Sequence, residues 1–368
     1  MAFRKEPSYT HGSAQQTAVL LVNLGTPDEP TPAAVRRYLK EFLSDPRVVE
    51  IPKAVWAPIL HGVILPFRSS KSAAKYASIW ESDGSPLKLH TERQATLLRG
   101  YIGERGHQVH VAYAMRYGSP SIPQVLQQLQ EQRCTRILVL PAYPQYAGST
   151  TASVYDAVFQ HYAGQRNVPE LRMVKHYHDH EAYIDALRHS VLAHWDMHGR
   201  PEKLVMSFHG VPKRTLDLGD PYHCECHKTA RLLATQLGLA EDRYLVTFQS
   251  RFGKAEWLQP YTAPSVRKLA EQGVKRIDVM CPGFVADCLE TLEEVDMEVR
   301  QEFLMAGGRE FHYIPCLNEN PAWIHALTDI AEEHLLGWPT MSNGAAREVR
   351  ERDLAISRKR AQELGAKQ

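Results

Sequence analysis

The stretches 125-VLQQLQEQRCTRILVL-140 and 265-SVRKLAEQGVKRIDVM-280 decide the fold, because they read as one unit written twice. Leu129 meets Leu269, Glu131 meets Glu271, Gln132 meets Gln272 and Arg136 meets Arg276. Ile137 then meets Ile277, and Val139 meets Val279. In each copy an amphipathic helix pattern runs into a short apolar strand pattern. A proline follows closely in both, Pro141 or Pro282. The starts of the halves match as well. LLVNLGTP ends at Pro27 and LVMSFHGVP ends at Pro212, which aligns Gly25 with Gly210 and Leu24 with His209. Between these points each half carries an Arg–aromatic–Gly turn, Arg116-Tyr117-Gly118 and Arg251-Phe252-Gly253, read as closing a short strand.

Helices alternating with short apolar strands predict α/β units built on parallel sheets. The expected architecture is two Rossmann-like domains with parallel four-stranded sheets, related by internal duplication, with an active-site cleft between them. Boundaries are placed at 17–170 for the N-terminal domain, 171–340 for the C-terminal domain, and 341–368 for a charged tail, read as an exposed helix or a partly disordered segment. The last helices before the tail are candidates to pack back on the first domain. In such sheets ligands bind beyond the carboxyl ends of the strands. Leu24, Arg116, Tyr143, His209 and Phe284 all fall at or just after such ends.

Bulk properties exclude several classes. The chain has 368 residues, 43% hydrophobic and 23% charged, enough for two cores. A formal net charge of +1 implies no field for nucleic acid or an anionic membrane. The N-terminal stretch MAFRKEPSYTHGSAQQT lacks the apolar centre of a signal peptide. The apolar region Ala54 to Phe67 is interrupted by Pro58, His61, Gly62 and Pro66 and is too short to span a bilayer. It is a candidate greasy lip for peripheral membrane contact. Six scattered cysteines without a secretion signal suit a reduced, cytoplasmic setting. Cys224 and Cys226, in YHCECHK, form the one close pair, but their spacing is not that of a zinc or iron–sulfur motif. No phosphate loop, G-x-G-x-x-G or G-x-S-x-G pattern is present, so neither ATP, NAD nor a serine nucleophile is indicated.

The chemistry gathers in CPGFVADCLETLEEVDME, residues 281–298. Glu290, Glu294 and Glu298 recur at steps of four on the helix that follows the strand ending at Met280. Like charges so placed destabilise a helix by roughly 0.2–0.5 kcal/mol per pair. Three of them near a strand's carboxyl end therefore suggest a cation path or proton relay. His209 sits at another strand end. Histidine's ordinary pKa of roughly 6.5 lets it take protons near neutral pH, and its neutral ring ligates Fe(II). One imidazole with one carboxylate makes an open site, suited to a metal in transit. Arg68, Tyr76, Ser85, Arg116 and Trp257 add cationic, phenolic, hydroxyl and aromatic groups near loop signals. Such a wall suits a large flat apolar ligand carrying carboxylates.

From Val19 to about Trp338 the chain resembles the ferrochelatases. The resemblance rests on segments in order: LLVNLGTP, YASIWESDGSPL, AMRYGSPS, LPAYPQYAGSTT, MSFHGVP, LVTFQSRFGKAEWLQP and CPGFVADCLETLEE. It implies insertion of Fe(II) into protoporphyrin IX to give protohaem, with release of two protons and no use of ATP. By position it implies His209 and Glu290 as the metal and catalytic pair. Glu294 is the next carboxylate, with Glu298 beyond it on the same helix row. Leu24, Arg68, Tyr76, Ser85, Arg116, Trp257 and Phe284 fall at porphyrin-contacting positions. Two departures stand out. Cys288 replaces the histidine that animal members carry two residues before the glutamate, which argues against a three-ligand site. No cysteine follows Cys316, so the [2Fe–2S] cluster of animal members is not expected, and no permanently bound cofactor is. A monomer is expected, with protoporphyrin IX and ferrous ion as partners, no nucleic acid, and the greasy lip available for peripheral membrane contact. The competing readings are a chelatase for a coproporphyrin or sirohydrochlorin ring, and a non-catalytic module that carries haem or iron.

Overall fold

The computed structural model describes residues 3–253, 255–341 and 344–367. Lys254 of the loop quoted above, and Ser342, Asn343 and Gln368 of the tail, lie outside the described residues.

Two four-stranded sheets are present. The first holds β1 (Gln16–Gly25), β2 (His110–Tyr117), β3 (Cys134–Pro141) and β4 (Glu170–Met173), in the order β2-β1-β3-β4. The second holds β5 (Lys203–His209), β6 (Tyr244–Gln249), β7 (Arg276–Met280) and β8 (Glu310–Tyr313), in the order β6-β5-β7-β8. Every pairing is parallel. The central strands are apolar on both faces because helices cover both sides. Ala18 to Val22 of β1, for example, are wholly buried.

The register shows the duplication. Leu21 lies beside Leu140 in the first sheet, and Met206 beside Met280 in the second. Counting on from those pairs makes Leu24 and His209 equivalent, as expected. The turns after β2 and β6 differ from expectation. Met115 donates its amide to the Pro120 carbonyl at 2.7 Å, and Phe248 donates to Pro260 at 2.8 Å. Those matched bonds pair Arg116 with Gln249, not with Arg251. Arg116 and Tyr117 lie inside β2, whereas Arg251 and Phe252 lie beyond the end of β6. The second half simply has a longer loop there, and the shared Arg–aromatic–Gly letters are coincidental.

The aligned glycines have one physical cause. A Cβ on Gly25 would sit 1.8 Å from the Tyr117 carbonyl oxygen, and φ there is +111°. A Cβ on Gly210 would sit 2.7 Å from the Gln249 carbonyl oxygen. At both places the chain leaves the end of the central strand against its neighbour's backbone. Gly25→Ala is expected to destabilise the protein by roughly 3 kcal/mol or more, combining backbone strain with a clash. Urea unfolding of the two proteins checks this.

The two sheets share a core. One apolar cluster contains Leu21 and Leu140 of the first sheet, Met206 of the second, and Trp323 and Leu327 of helix Pro321–Leu335. That helix packs back on the first half. Arg105 donates to Asp329 at 2.6 Å and to Glu332 at 2.7 Å. Arg172 of β4 caps the helix end through the His334 and Leu336 carbonyls. The charged tail forms helix Gly344–Glu363, whose Arg358 reaches the His11 carbonyl at 3.2 Å.

The apolar region 54–67 lies on a helical run from Lys53 to Ile79 that widens into a π-turn at Leu60–Ile64, just after the internal Pro58. Proline cannot donate to the preceding turn, which favours such a bulge. Trp56, Leu60 and Leu65 face the core, while Val55, Ile59, Val63 and Phe67 are exposed. No described helix is long and apolar enough to cross a membrane.

Candidate active site at the strand ends

β5 delivers His209 to its carboxyl end, half-buried. Its Nδ1 lies 2.6 Å from the Gly210 carbonyl oxygen. A carbonyl only accepts, so Nδ1 carries the ring proton and Nε2 keeps a lone pair for a metal or a proton. The Phe284 ring stands 6.4 Å from the imidazole, centroid to centroid.

The acidic helix is built by a turn that the sequence reading did not single out. Asp287 is buried and accepts hydrogen bonds from Thr291 (2.9 Å), Tyr313 (2.6 Å) and Asn318 (2.7 Å). These bonds fix the entry to the stretch Glu290–Val299, which is a π-helix, not the α-helix that steps of four suggested. A π-helix bonds i to i+5 and turns less per residue. Residues four apart then fall closer to a straight row than in an α-helix, where each fourth residue drifts by about 40°. Glu290 and Glu294 are half-buried and Glu298 is exposed, so the row runs from inside to solvent.

Gln249 links the strand beside His209 to the backbone at the start of this row. It is the register partner of His209 on β6, and its Nε2 donates to the Glu290 carbonyl at 2.7 Å. Ser207 holds the other end of that amide at 2.5 Å. Further out, Ser250 donates to the Glu294 carboxylate, and Lys75 bridges Glu293 (2.9 Å) and Glu298 (2.8 Å). Lys75 therefore balances charge at the solvent end of the row.

Burial, then the neighbouring Glu290 charge, push the Glu294 carboxyl up to about 7. Its folded pKa lies above the ordinary 4.5, so the folded protein binds more protons between these values. Stability from this group is then lost as pH rises through that window and is level above it. Glu294→Gln is expected to flatten the fall in stability between about pH 4.5 and 7. Urea midpoints across that range test it; an unchanged slope would assign the effect to other groups.

The walls come from both halves. Leu24 and Phe284 both pack against Leu87, Ala286 and Cys288. Tyr76 meets Tyr38 edge-on at 6.2 Å. Burial first, with the Glu290 charge adding to it, raises the pKa of Tyr38, Tyr76 and Tyr143. All three remain phenols near that carboxylate. The Tyr143 hydroxyl and the Trp257 indole N–H are buried without a partner. Unpaired buried donors mark places where a ligand can bond. Trp257 lies against Gly210 and bridges to Pro212, beside His209. At the rim, exposed Arg68 stacks over Phe252 at 4.9 Å.

Two of the expected contact residues have protein partners of their own. Ser85 is buried and accepts from Thr26 at 2.8 Å. Arg116 donates to Asp45 (2.6 Å) and Ser153 (2.6 Å) and lies over the Tyr117 ring. It also lines a cavity of about 500 Å3 with Arg37, Lys40 and Asp45. Cys224 is exposed and Cys226 buried, so the pair does not converge on one ion. Glu225 between them holds His176 at 2.7 Å and the Tyr146 amide at 2.7 Å.

The fold is that of the two-domain Rossmann-like chelatases. Its solved examples include SirB from Bacillus subtilis with Fe3+, at TM-score 0.53 and 14% identity over 89% of this chain and 100% of that one. The family profile described as ferrochelatase matches residues 16–335. A ferrochelatase of Herminiimonas arsenicoxydans is 70% identical over the full length of both chains. One of Janthinobacterium sp. (strain Marseille) is 69% identical, also over both full lengths. The chain belongs to the ferrochelatase family. It is accordingly a metal chelatase of the lyase class, an iron-binding enzyme of haem biosynthesis.

Proposed function

We propose that the protein inserts Fe(II) into protoporphyrin IX to form protohaem, the final step of haem biosynthesis, releasing two protons and using no ATP. The observation that carries this reading is a strand-end imidazole whose neutral ring keeps an Nε2 lone pair, with its register partner Gln249 bonded to the backbone carbonyl of Glu290, the first of a row of acidic residues. One member of that row titrates near neutrality. A base poised near the working pH exchanges protons most readily.

The porphyrin is a rigid ring with two pyrrolic N–H groups. Both protons must leave, and the ring nitrogens must tilt out of plane to meet the ion. Leu24, Phe284, Tyr76 and Trp257 supply apolar and aromatic walls that hold the ring bent. His209 and Glu290 hold the ferrous ion and receive the pyrrolic protons. Glu294 passes protons outward, and Glu298, beside Lys75, releases them. Arg68 at the rim is placed for a ring carboxylate. Ser85 and Arg116 support the walls through Thr26 and Asp45. The exposed row Val55, Ile59, Val63 and Phe67 is suited to rest on a bilayer surface, from which an apolar porphyrin would enter. The protein works as a cytoplasmic monomer, with domains at 17–170 and 171–340.

Parallel anaerobic assays with ferrous ion and protoporphyrin, coproporphyrin or sirohydrochlorin test this by absorbance. Insertion should be fastest into protoporphyrin and unchanged by added ATP. Insertion into only one of the other rings would replace the substrate, and binding without turnover would replace the enzyme by a carrier.

A further inference from the structure

A second group of ionisable side chains lies outside the cleft, beside helix Glu181–His198. His194 and His198 stand one turn apart near the end of that helix, and His312 lies on β8. In the sheet His312 lies beside Asp278 of β7. Asp278 is fully buried and accepts from the Trp195 indole N–H at 3.0 Å. The three imidazole rings crowd together, with centroids 4.5, 5.0 and 5.6 Å apart. One nitrogen of each ring lies within 4.8 Å of the other two.

His194 is only 8% exposed, and its Nε2 has no hydrogen-bond partner. The Asp278 carboxylate stands 3.7 Å from it, beyond hydrogen-bonding range. A buried polar nitrogen left in this state calls for a ligand. Burial, then His198, His312 and Arg276, push the His194 pKa down to about 4. Burial also lowers that of His312. Both rings are neutral at pH 7, which is the form that binds metal. The nearby cation, Arg276, bonds to the His198 and Gly199 carbonyls at 2.6 and 2.7 Å and faces Asp278 at 3.5 Å.

We propose that His194, His198 and His312 form a second divalent-metal site, separate from the cleft. Three imidazoles suit Zn2+, Co2+ or Ni2+ and leave one position open. Metal–nitrogen bonds of about 2.0–2.1 Å place shared nitrogens no more than about 4 Å apart. Small rotations of exposed His198 and half-buried His312 supply the difference. The ion would staple the end of helix Glu181–His198 to the outer strand of the second sheet.

Metal-free protein titrated with Zn2+ in a calorimeter, with thermal unfolding at each zinc level, tests the site. Wild type should bind one more zinc than His198→Ala, or bind it at least about 10- to 100-fold more tightly. His198→Ala should also lose the corresponding zinc-dependent rise in Tm while inserting iron at the wild-type rate. His198 is exposed, so its replacement should fold; His312→Ala should repeat the loss. His209→Ala should keep this zinc. Identical zinc titrations and Tm shifts for wild type and His198→Ala would overturn the proposal. So would loss of all zinc binding in His209→Ala.

Discussion

His209→Ala should lower kcat for iron insertion by about 10²–10⁴-fold, the range for removing a positioned acid–base group. The fold should survive. His209 is half-buried at a strand end, and among the described residues its side chain bonds to the adjacent Gly210 carbonyl alone. Far-ultraviolet circular dichroism should match wild type. A folded variant with the normal rate would remove the imidazole from the chemistry. The loss should fall mainly on kcat, because the ring rests chiefly on Leu24, Phe284, Tyr76 and Trp257. A loss confined to KM would instead place His209 in the wall.

Glu290→Gln should cost a similar about 10²–10⁴-fold. The replacement keeps size and shape, and the backbone carbonyl that Gln249 holds is untouched. A second effect identifies the cause. The Glu290 charge helps to hold Glu294 near 7. Removing it should let the Glu294 pKa fall, so residual activity should reach its plateau at lower pH. The double variant His209→Ala/Glu290→Gln should be little worse than either single one, as groups acting as a unit are not additive. Fully additive losses would mean that the two act in separate steps.

The repeat of residues 125–140 at 265–280 made both sheets legible, because a buried parallel strand and its preceding helix each leave a plain pattern. The alignment of Leu24 with His209 followed from two glycines that must clear a neighbouring carbonyl. Other features were not legible for physical reasons. The π-helix at 290–299 depends on how Asp287, Thr291, Tyr313 and Asn318 fix its entry, and the bonds from Tyr313 and Asn318 join it to segments well separated in sequence. Steps of four letters fit an α-helix as readily. Gln249 and Lys75 act through partners more than forty positions away. Arg116 was paired with the wrong residue because a longer loop in the second half shifted the letters. The His194–His198 pair is visible as a one-turn spacing, but His312 joins it only once β8 is in place.

The most direct measurement is anomalous scattering from crystals soaked anaerobically with ferrous ion. A peak within about 2.2 Å of both His209 Nε2 and a Glu290 carboxylate oxygen is predicted, at bonding distances usual for such ligands. Iron held in the cleft by neither group, or a His209 ring turned away from Glu290, would contradict the account.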